Sequence, residues 1–232
     1  DVFGWRSVFL LAAAMGVVAL AAQFATLPRM APSGSTSLRT LVEVLGRPGI
    51  GIGMIAVGLV FTGHFAFFTY IRPFLETVTG VGVSGISGIL LGFGIANFLG
   101  TFLGGTLVAW NMRMALMLTP LVMGVLGLGL AGMGGVPIAD AAMIAVWGAA
   151  FGAVPVAWST WLTRTVPDEA ESAGGLLVAA IQLAIATGAG VGGAIFDVGG
   201  ATGVFAVSGF VLLAATLVIP VGVRTRPVPA AV

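Results

Sequence analysis

The most informative feature of this sequence is how little charge it contains. Of its 232 residues, 59% are hydrophobic and 7% are charged, whereas about 25% of the residues in an average soluble domain are charged. A chain with so few charges lacks the polar surface of a soluble globule, so the sequence predicts a protein embedded in a membrane. The net charge is +1 and no basic block is present, which argues against nucleic acid as a partner.

Three residue types that carry chemistry are missing or nearly missing. Cysteine is absent, which excludes disulfides, thiolate nucleophiles and thiolate metal sites. Every basic residue is an arginine, and without lysine the chain cannot form the Schiff base of a seven-helix retinal protein. The only histidine, His64, cannot supply the paired ligands of an intramembrane metalloprotease. We therefore expect no metal, no cofactor and no enzymatic activity.

Seven apolar stretches are each long enough for a transmembrane helix, which needs about 20 residues. They occupy residues 8–26, 50–76, 83–110, 114–131, 138–162, 174–196 and 201–223. The polar stretch 28–49 contains an amphipathic pattern from Leu38 to Leu45, which predicts a short surface helix capped by Thr36 or Ser37. The predicted fold is an all-α, multi-pass bundle of about seven transmembrane helices.

The second span carries an ionisable side chain far from either end. His64 lies roughly 21 Å along the helix from Ile50, at a depth where an ionisable group is costly unless it faces a partner or water. We interpret His64 as a candidate for substrate binding or proton coupling; the alternative is a neutral histidine bonded to a neighbouring helix. Arg72 and Glu76, four residues apart, are gating candidates or an interfacial ion pair.

Stripes of small residues at steps of four mark two other spans. Such stripes allow helix backbones to approach closely, so they predict helix packing. The third span has Gly88, Gly92, Ala96, Gly100 and Gly104, and the sixth has Ala184, Gly188 and Gly192. Each of these spans also holds one amide, Asn97 or Gln182, which predicts either a substrate contact or an interhelical hydrogen bond.

The order of helix types repeats along the chain. Spans two to four run aromatic, small-striped, aliphatic, and spans five to seven follow the same order. Two triplets of odd length must cross the membrane in opposite directions, which predicts an inverted 3+3 repeat of the kind found in transporter halves. Trp147, Phe151 and Trp158 of the fifth span are candidates to line an apolar substrate cavity, or else packing residues.

The arginines predict the orientation. If residues 28–49 are cytoplasmic, seven of the nine basic residues lie inside, and Arg6 and Arg72 are the exceptions. The carboxyl terminus is then cytoplasmic. Arg164 and Asp168 fall in the polar loop 163–172. They are candidates for a gating latch, and the alternative is that they belong to a solvated cluster. Asp140 stands alone near a helix start, and we expect no well-buried carboxylate in this chain.

Three stretches resemble a known family. HFAFFTYIRPFLE at 64–76 is similar to the seventh helix of bacterial major facilitator efflux permeases of the sugar-efflux and drug:proton antiporter group. Residues 154–197 resemble the tenth and eleventh helices of that group, and GWRSVFLL at 4–11 resembles the entry to its sixth helix. One departure is the turn after the third span, where Gly105 and Arg113 fit the superfamily pattern but Ala109 and Trp110 replace its acidic and first basic positions.

The resemblance implies a division of the chain and a mechanism. Residues 1–27 would correspond to helix six, 28–49 to the cytoplasmic loop between the halves, 50–223 to a carboxyl-terminal six-helix half, and 224–232 to a cytoplasmic tail. The implied function is proton-coupled efflux of a drug or sugar across the inner membrane by alternating access, together with a missing amino-terminal half that would carry the proton-binding acid. The alternatives are a channel-like or non-transporting membrane protein, or a half-unit that works only with a partner half.

Overall fold

A computed structural model describes residues 4–27 and 38–223. The chain divides into two units, residues 1–35 and 36–232. The first contains helix α1 (Gly4–Thr26), whose stretch Phe9–Thr26 is apolar and long enough to cross a membrane. The predicted cap residues Thr36 and Ser37 and the tail 224–232 lie outside the described residues.

The second unit is helical, and its described residues contain no strand. Its helices are α2 (Leu38–Leu45), α3 (Ile50–Thr77), α4 (Val83–Trp110), α5 (Met112–Met133), α6 (Pro137–Thr165) and α7 (Ala170–Gly222), with a 3₁₀ turn at Pro167–Glu169. With α1, six of the described helices are long and apolar enough to span a membrane. The prediction of an all-α, multi-pass membrane protein is confirmed.

Helix α7 comprises two membrane passes joined by a sharp break. Its 53 residues would extend about 80 Å if straight, far more than the roughly 30 Å hydrocarbon layer. Gly200 interrupts the helix with φ 63° and ψ −166°, values that favour glycine because a side chain is strained there. The break divides α7 into a first arm, residues 170–199, and a second arm, residues 201–222, and it falls in the interval between the predicted spans 174–196 and 201–223.

Contacts with α3 show that the two arms run in opposite directions. Along the first arm, Thr62 donates to the carbonyl of Ala184 and Tyr70 to that of Ala189, so the numbering rises together and the helices are parallel. Along the second arm the numbering runs oppositely: Ile52 lies against Gly222, and the Ser208 hydroxyl donates to the Gly63 carbonyl at 2.6 Å. The chain therefore reverses at Gly200, and the seventh pass is present.

The helix pairing follows the predicted repeat. Helix α4, from the first triplet, packs in parallel on α6 through Gly100 against Ala149 and Gly104 against Ala153. The first arm of α7, from the second triplet, packs in parallel on α3 through Gly188. Each small-striped helix thus contacts the aromatic helix of the other triplet. The two contacts are equivalent under the symmetry that relates the triplets, as an inverted repeat predicts.

The two ends of the bundle are fixed by different contacts. At one end, which we call the Arg47 end, Arg47 pairs with Asp168 and Arg113 donates to the carbonyl of Pro220. At the opposite end, which we call the Asp140 end, the corner after α3 meets the corner between α5 and α6. The eight predicted small-stripe positions divide unevenly, because no described residue lies within 4 Å of where a Cβ on Gly88 or Gly92 would be.

Candidate functional site

His64 and Trp147 form a buried hydrogen-bonded pair where α3 meets α6. The indole N–H of Trp147 donates to Nδ1 of His64 over 3.1 Å. Trp147 is 0% exposed and His64 is 2% exposed. A neutral imidazole that accepts at Nδ1 carries its proton at Nε2. Phe67 stacks on Trp147 from behind, with ring centroids 3.7 Å apart, so the indole is held in place.

Phenylalanine rings from three helices surround the imidazole, and we call this group the aromatic cluster. The Phe151 ring of α6 lies parallel to the His64 ring, with centroids 3.3 Å apart and an interplanar angle of 2°. The cluster comprises His64, Phe61, Phe65 and Phe68 of α3, Phe93 of α4 and Phe151 of α6. The α3 members fall on one side of the helix because they recur at steps of three and four.

The aromatic cluster has one covered side and one open side. Phe61, Phe93 and His64 are buried, whereas Phe65 and Phe151 are half-buried and Phe68 is 41% exposed. The open rings, Phe65 and Phe68 of α3 and Phe151 of α6, present apolar surface near the middle of two spans, and aromatic faces favour stacking with planar rings. Chemically, the open rings can hold a planar, uncharged ring system, whereas His64 itself is enclosed behind them.

The other predicted substrate residues are not members of the aromatic cluster, although Asn97 borders it against Gly152 of α6. Trp158 is 1% exposed, stacks edge-on with Trp161, and its indole N–H is buried without a partner in the described chain. Asn97 is half-buried and donates to the Gly148 carbonyl over 3.3 Å. This is an interhelical hydrogen bond, the alternative to a substrate contact that the sequence offered for this residue. Gln182 is exposed on the first arm of α7. Only His64, Trp147 and Phe151 come together, and their role in binding stays a prediction.

The gating candidates form ion pairs, one of them with an unexpected partner. Arg72 and Glu76 pair within α3 at 2.8 Å, with both side chains exposed. Asp168 accepts two hydrogen bonds from Arg47, at 2.9 and 2.7 Å, whereas the sequence suggested Arg164 as its neighbour. The hydrogen bond to Asp168 raises the pKa of the Arg47 guanidinium. The pair ties the segment before α3 to the loop after α6.

The expectation that the chain has no well-buried carboxylate is wrong. Asp140, in the first turn of α6, is 0% exposed. One carboxylate oxygen accepts hydrogen bonds from the Thr79 hydroxyl at 2.8 Å and the Gly135 N–H at 2.9 Å, while the other is buried without a partner in the described chain. A lone acid at a helix start is usually solvated, so nothing in the sequence indicates this burial. It follows from the contact between the corner after α3, which carries Thr79, and the corner before α6, which carries Gly135.

Comparison with known proteins agrees with this architecture. The family model described as Major Facilitator Superfamily matches residues 1–183. The chain is 41% identical over 226 residues to the "Purine ribonucleoside efflux pump NepI" of Salmonella typhimurium (strain LT2), and 40% identical to the protein of that name from Escherichia coli (strain K12). The alignments cover 97% of this chain and 57% of each relative, so the chain spans little more than half their length.

These matches confirm the resemblance to major facilitator permeases and the expectation of a membrane protein that is not an enzyme. The family model covers well over half of the chain, and it covers the helices that form the aromatic cluster: α3, α4 and α6. The chain therefore belongs to the Major Facilitator Superfamily.

Proposed function

We propose that this chain is the carboxyl-terminal part of an efflux permease that exports purine ribonucleosides, or close analogues with a planar base, by proton-driven alternating access. The observation that carries the proposal is the aromatic cluster at mid-span, in a chain about 40% identical to two purine ribonucleoside efflux pumps. A nucleoside unites the two cargo classes that the sequence left open, since it carries a sugar and an aromatic base.

The cluster suits a purine for physical reasons. A base stacked on an aromatic side chain gains about 1–3 kcal/mol, and Phe65, Phe68 and Phe151 expose their rings at the middle of the helices. No charged side chain belongs to the cluster, which fits an uncharged cargo.

The rest of the permease is part of the proposal. The relatives contain further chain beyond the matched 57%, and alternating access needs two halves that rock about a midplane site. We propose that the remaining helices supply the opposite wall of the cargo site and the proton-carrying acid. We propose that the permease lies in the inner membrane, and the arginine distribution supports an orientation with the Arg47 end and the carboxyl terminus in the cytoplasm.

The test is transport by the natural-length permease in inverted membrane vesicles energised by a proton gradient. We expect uptake of radiolabelled adenosine or guanosine that stops when a protonophore is added, with little uptake of ribose or of a lipophilic cationic dye. Export of ribose or the dye instead of nucleosides would overturn the assigned cargo. Nucleoside movement that persists without the gradient would overturn proton coupling.

A matched pair of variants tests the cluster itself. Phe151→Leu removes the stacking ring, and we expect the apparent affinity for adenosine to fall roughly 5- to 150-fold, as the loss of one stacking contact implies. Phe102→Leu is the control, because Phe102 is 64% exposed on α4 and is outside the cluster. Equal effects of the two substitutions would show that the cluster does not bind the cargo.

A further inference from the structure

A groove between α4, α5 and α6 lies outside the aromatic cluster and is assigned no role by the proposed transport cycle. Its volume is about 510 Å³, within the roughly 300–1,000 Å³ range of small-molecule sites. The groove exists because α4 leans on α6: Gly100 and Gly104 lie directly against the α6 backbone. The side of α4 that faces α5 is therefore left less closely packed.

The walls of the groove offer no free hydrogen-bonding group inside the membrane. They are formed mainly by leucine, valine and alanine, among them Leu103, Val146 and Ala150. The two hydroxyls in the lining are already used, because Thr106 donates to the Leu103 carbonyl at 2.8 Å and Thr119 to the Ala115 carbonyl at 3.0 Å. A water-soluble ligand or a peptide would leave its polar groups unpaired there, at a cost of several kcal/mol each.

The mouth of the groove has a different chemistry. Trp110, the last residue of α4, lines it and is 75% exposed, and its indole N–H has no partner in the described part of the chain. The polar residues Asn111 and Arg113 follow directly, which places Trp110 at the level of the membrane surface, where tryptophan is enriched. The groove thus combines an apolar interior with one hydrogen-bond donor at the depth of lipid ester groups.

We propose that this groove binds one acyl chain of a membrane phospholipid, with the Trp110 indole N–H donating to the ester carbonyl of that chain. A hydrocarbon chain fills the groove without unpaired polar groups, and the bilayer supplies it at high concentration to all three helices. The bound chain completes the packing that α4 and α5 lack. This inference does not depend on the cargo of the permease.

The probe is a phosphatidylcholine that carries a photoreactive diazirine on one acyl chain, in nanodiscs that contain the natural-length protein. After irradiation, labelled residues are mapped by mass spectrometry. We expect labelling of residues 103–122 to exceed that of the exposed α4 segment 91–99. Val146→Phe narrows the groove and should lower the label roughly tenfold, the factor that displacing about two buried methylene groups produces.

Two further variants make the result decisive. Val125→Phe is the matched control, because Val125 is 58% exposed on α5 and does not line the groove. In this variant the labelling of residues 103–122 should stay unchanged. Trp110→Phe keeps the ring but removes the N–H, and should lower the label roughly fivefold, as expected for one hydrogen bond. Uniform labelling along α4, or labelling that Val146→Phe leaves unchanged, would show ordinary contact with surrounding lipid and overturn the proposal.

Discussion

The two small-striped helices make the same kind of contact in different ways. Helix α4 meets α6 backbone to backbone, and both helices contribute glycine: a Cβ on Gly100 would collide with the carbonyl of Ala149, and one on Gly152 with the carbonyl of Asn97. On the first arm of α7, Gly188 meets the α3 backbone, whereas Gly192 and Gly193 meet the Tyr70 side chain. Reciprocal glycines bring α4 and α6 closer than a one-sided stripe can.

The difference bears on which contact can move. A backbone carbonyl cannot turn aside, whereas the Tyr70 ring against Gly192 can rotate once its hydrogen bond to the Ala189 carbonyl opens. The α3–α7 contact is also supported by two side-chain hydrogen bonds, from Thr62 and Tyr70 to carbonyls of α7. We infer that α4 and α6 behave as a rigid pair, and that the first arm of α7 can adjust against α3.

The largest effect is expected at Gly100. In Gly100→Ala the new methyl group occupies the position of the Ala149 carbonyl, so the helices must separate, and we expect a loss of at least about 1–3 kcal/mol of stability. The measurement is the thermal unfolding midpoint of the natural-length protein in detergent. Gly94→Ala is the control on the same helix, because none of the residues that the structure describes lies within 4 Å of its Cβ position. Equal midpoints for the two variants would contradict the rigid contact.

Gly188→Ala should have the next largest effect. Its Cβ would lie 2.5 Å from the Thr62 carbonyl oxygen, but α3 contributes no reciprocal glycine here and the arm can shift. We expect a lower unfolding midpoint than in wild type but a smaller loss than in Gly100→Ala, near the lower end of the ~1–3 kcal/mol overpacking range. Gly190→Ala is the matched control, because its Cβ would contact no residue in the described part of the chain. A loss larger than that of Gly100→Ala would reverse the ranking.

A double-mutant cycle sharpens the contrast at Gly192. The Cβ of Gly192→Ala would lie 2.8 Å from the Tyr70 ring, so the cost should depend on that ring. In a Tyr70→Ala background we expect Gly192→Ala to cost nothing measurable, which gives a coupling energy of about 0.5–3 kcal/mol between the two positions. Unfolding midpoints of the four proteins measure it. Additive effects would mean that the backbone of α3, and not the ring, limits the approach.

Sequence patterns predicted the helices well and the site only in part. The apolar spans, the turn at Gly200 and the small stripes follow from composition and periodicity, which are local properties. The partner of His64 did not follow, because Trp147 lies 83 residues away and only the packing of α3 on α6 brings them together. Asp140 and Arg47 were missed for the same reason: their partners, Thr79 and Asp168, come from distant corners.

The smallest effect is expected at the open end of the α4 stripe. Gly88 and Gly92 have nothing within 4 Å of their Cβ positions in the described chain, so Gly88→Ala adds no clash. Alanine also favours a helix over glycine by roughly 0.5–1 kcal/mol, and the unfolding midpoint should stay the same or rise slightly. If the proposed remaining helices of the permease pack on this end, the larger Gly88→Leu should instead reduce nucleoside transport and lower the midpoint of the natural-length protein. Unchanged transport and stability in Gly88→Leu would show that the Gly88 end of the stripe faces lipid. The stripe would then serve helix packing only at Gly100 and Gly104, where α4 contacts α6.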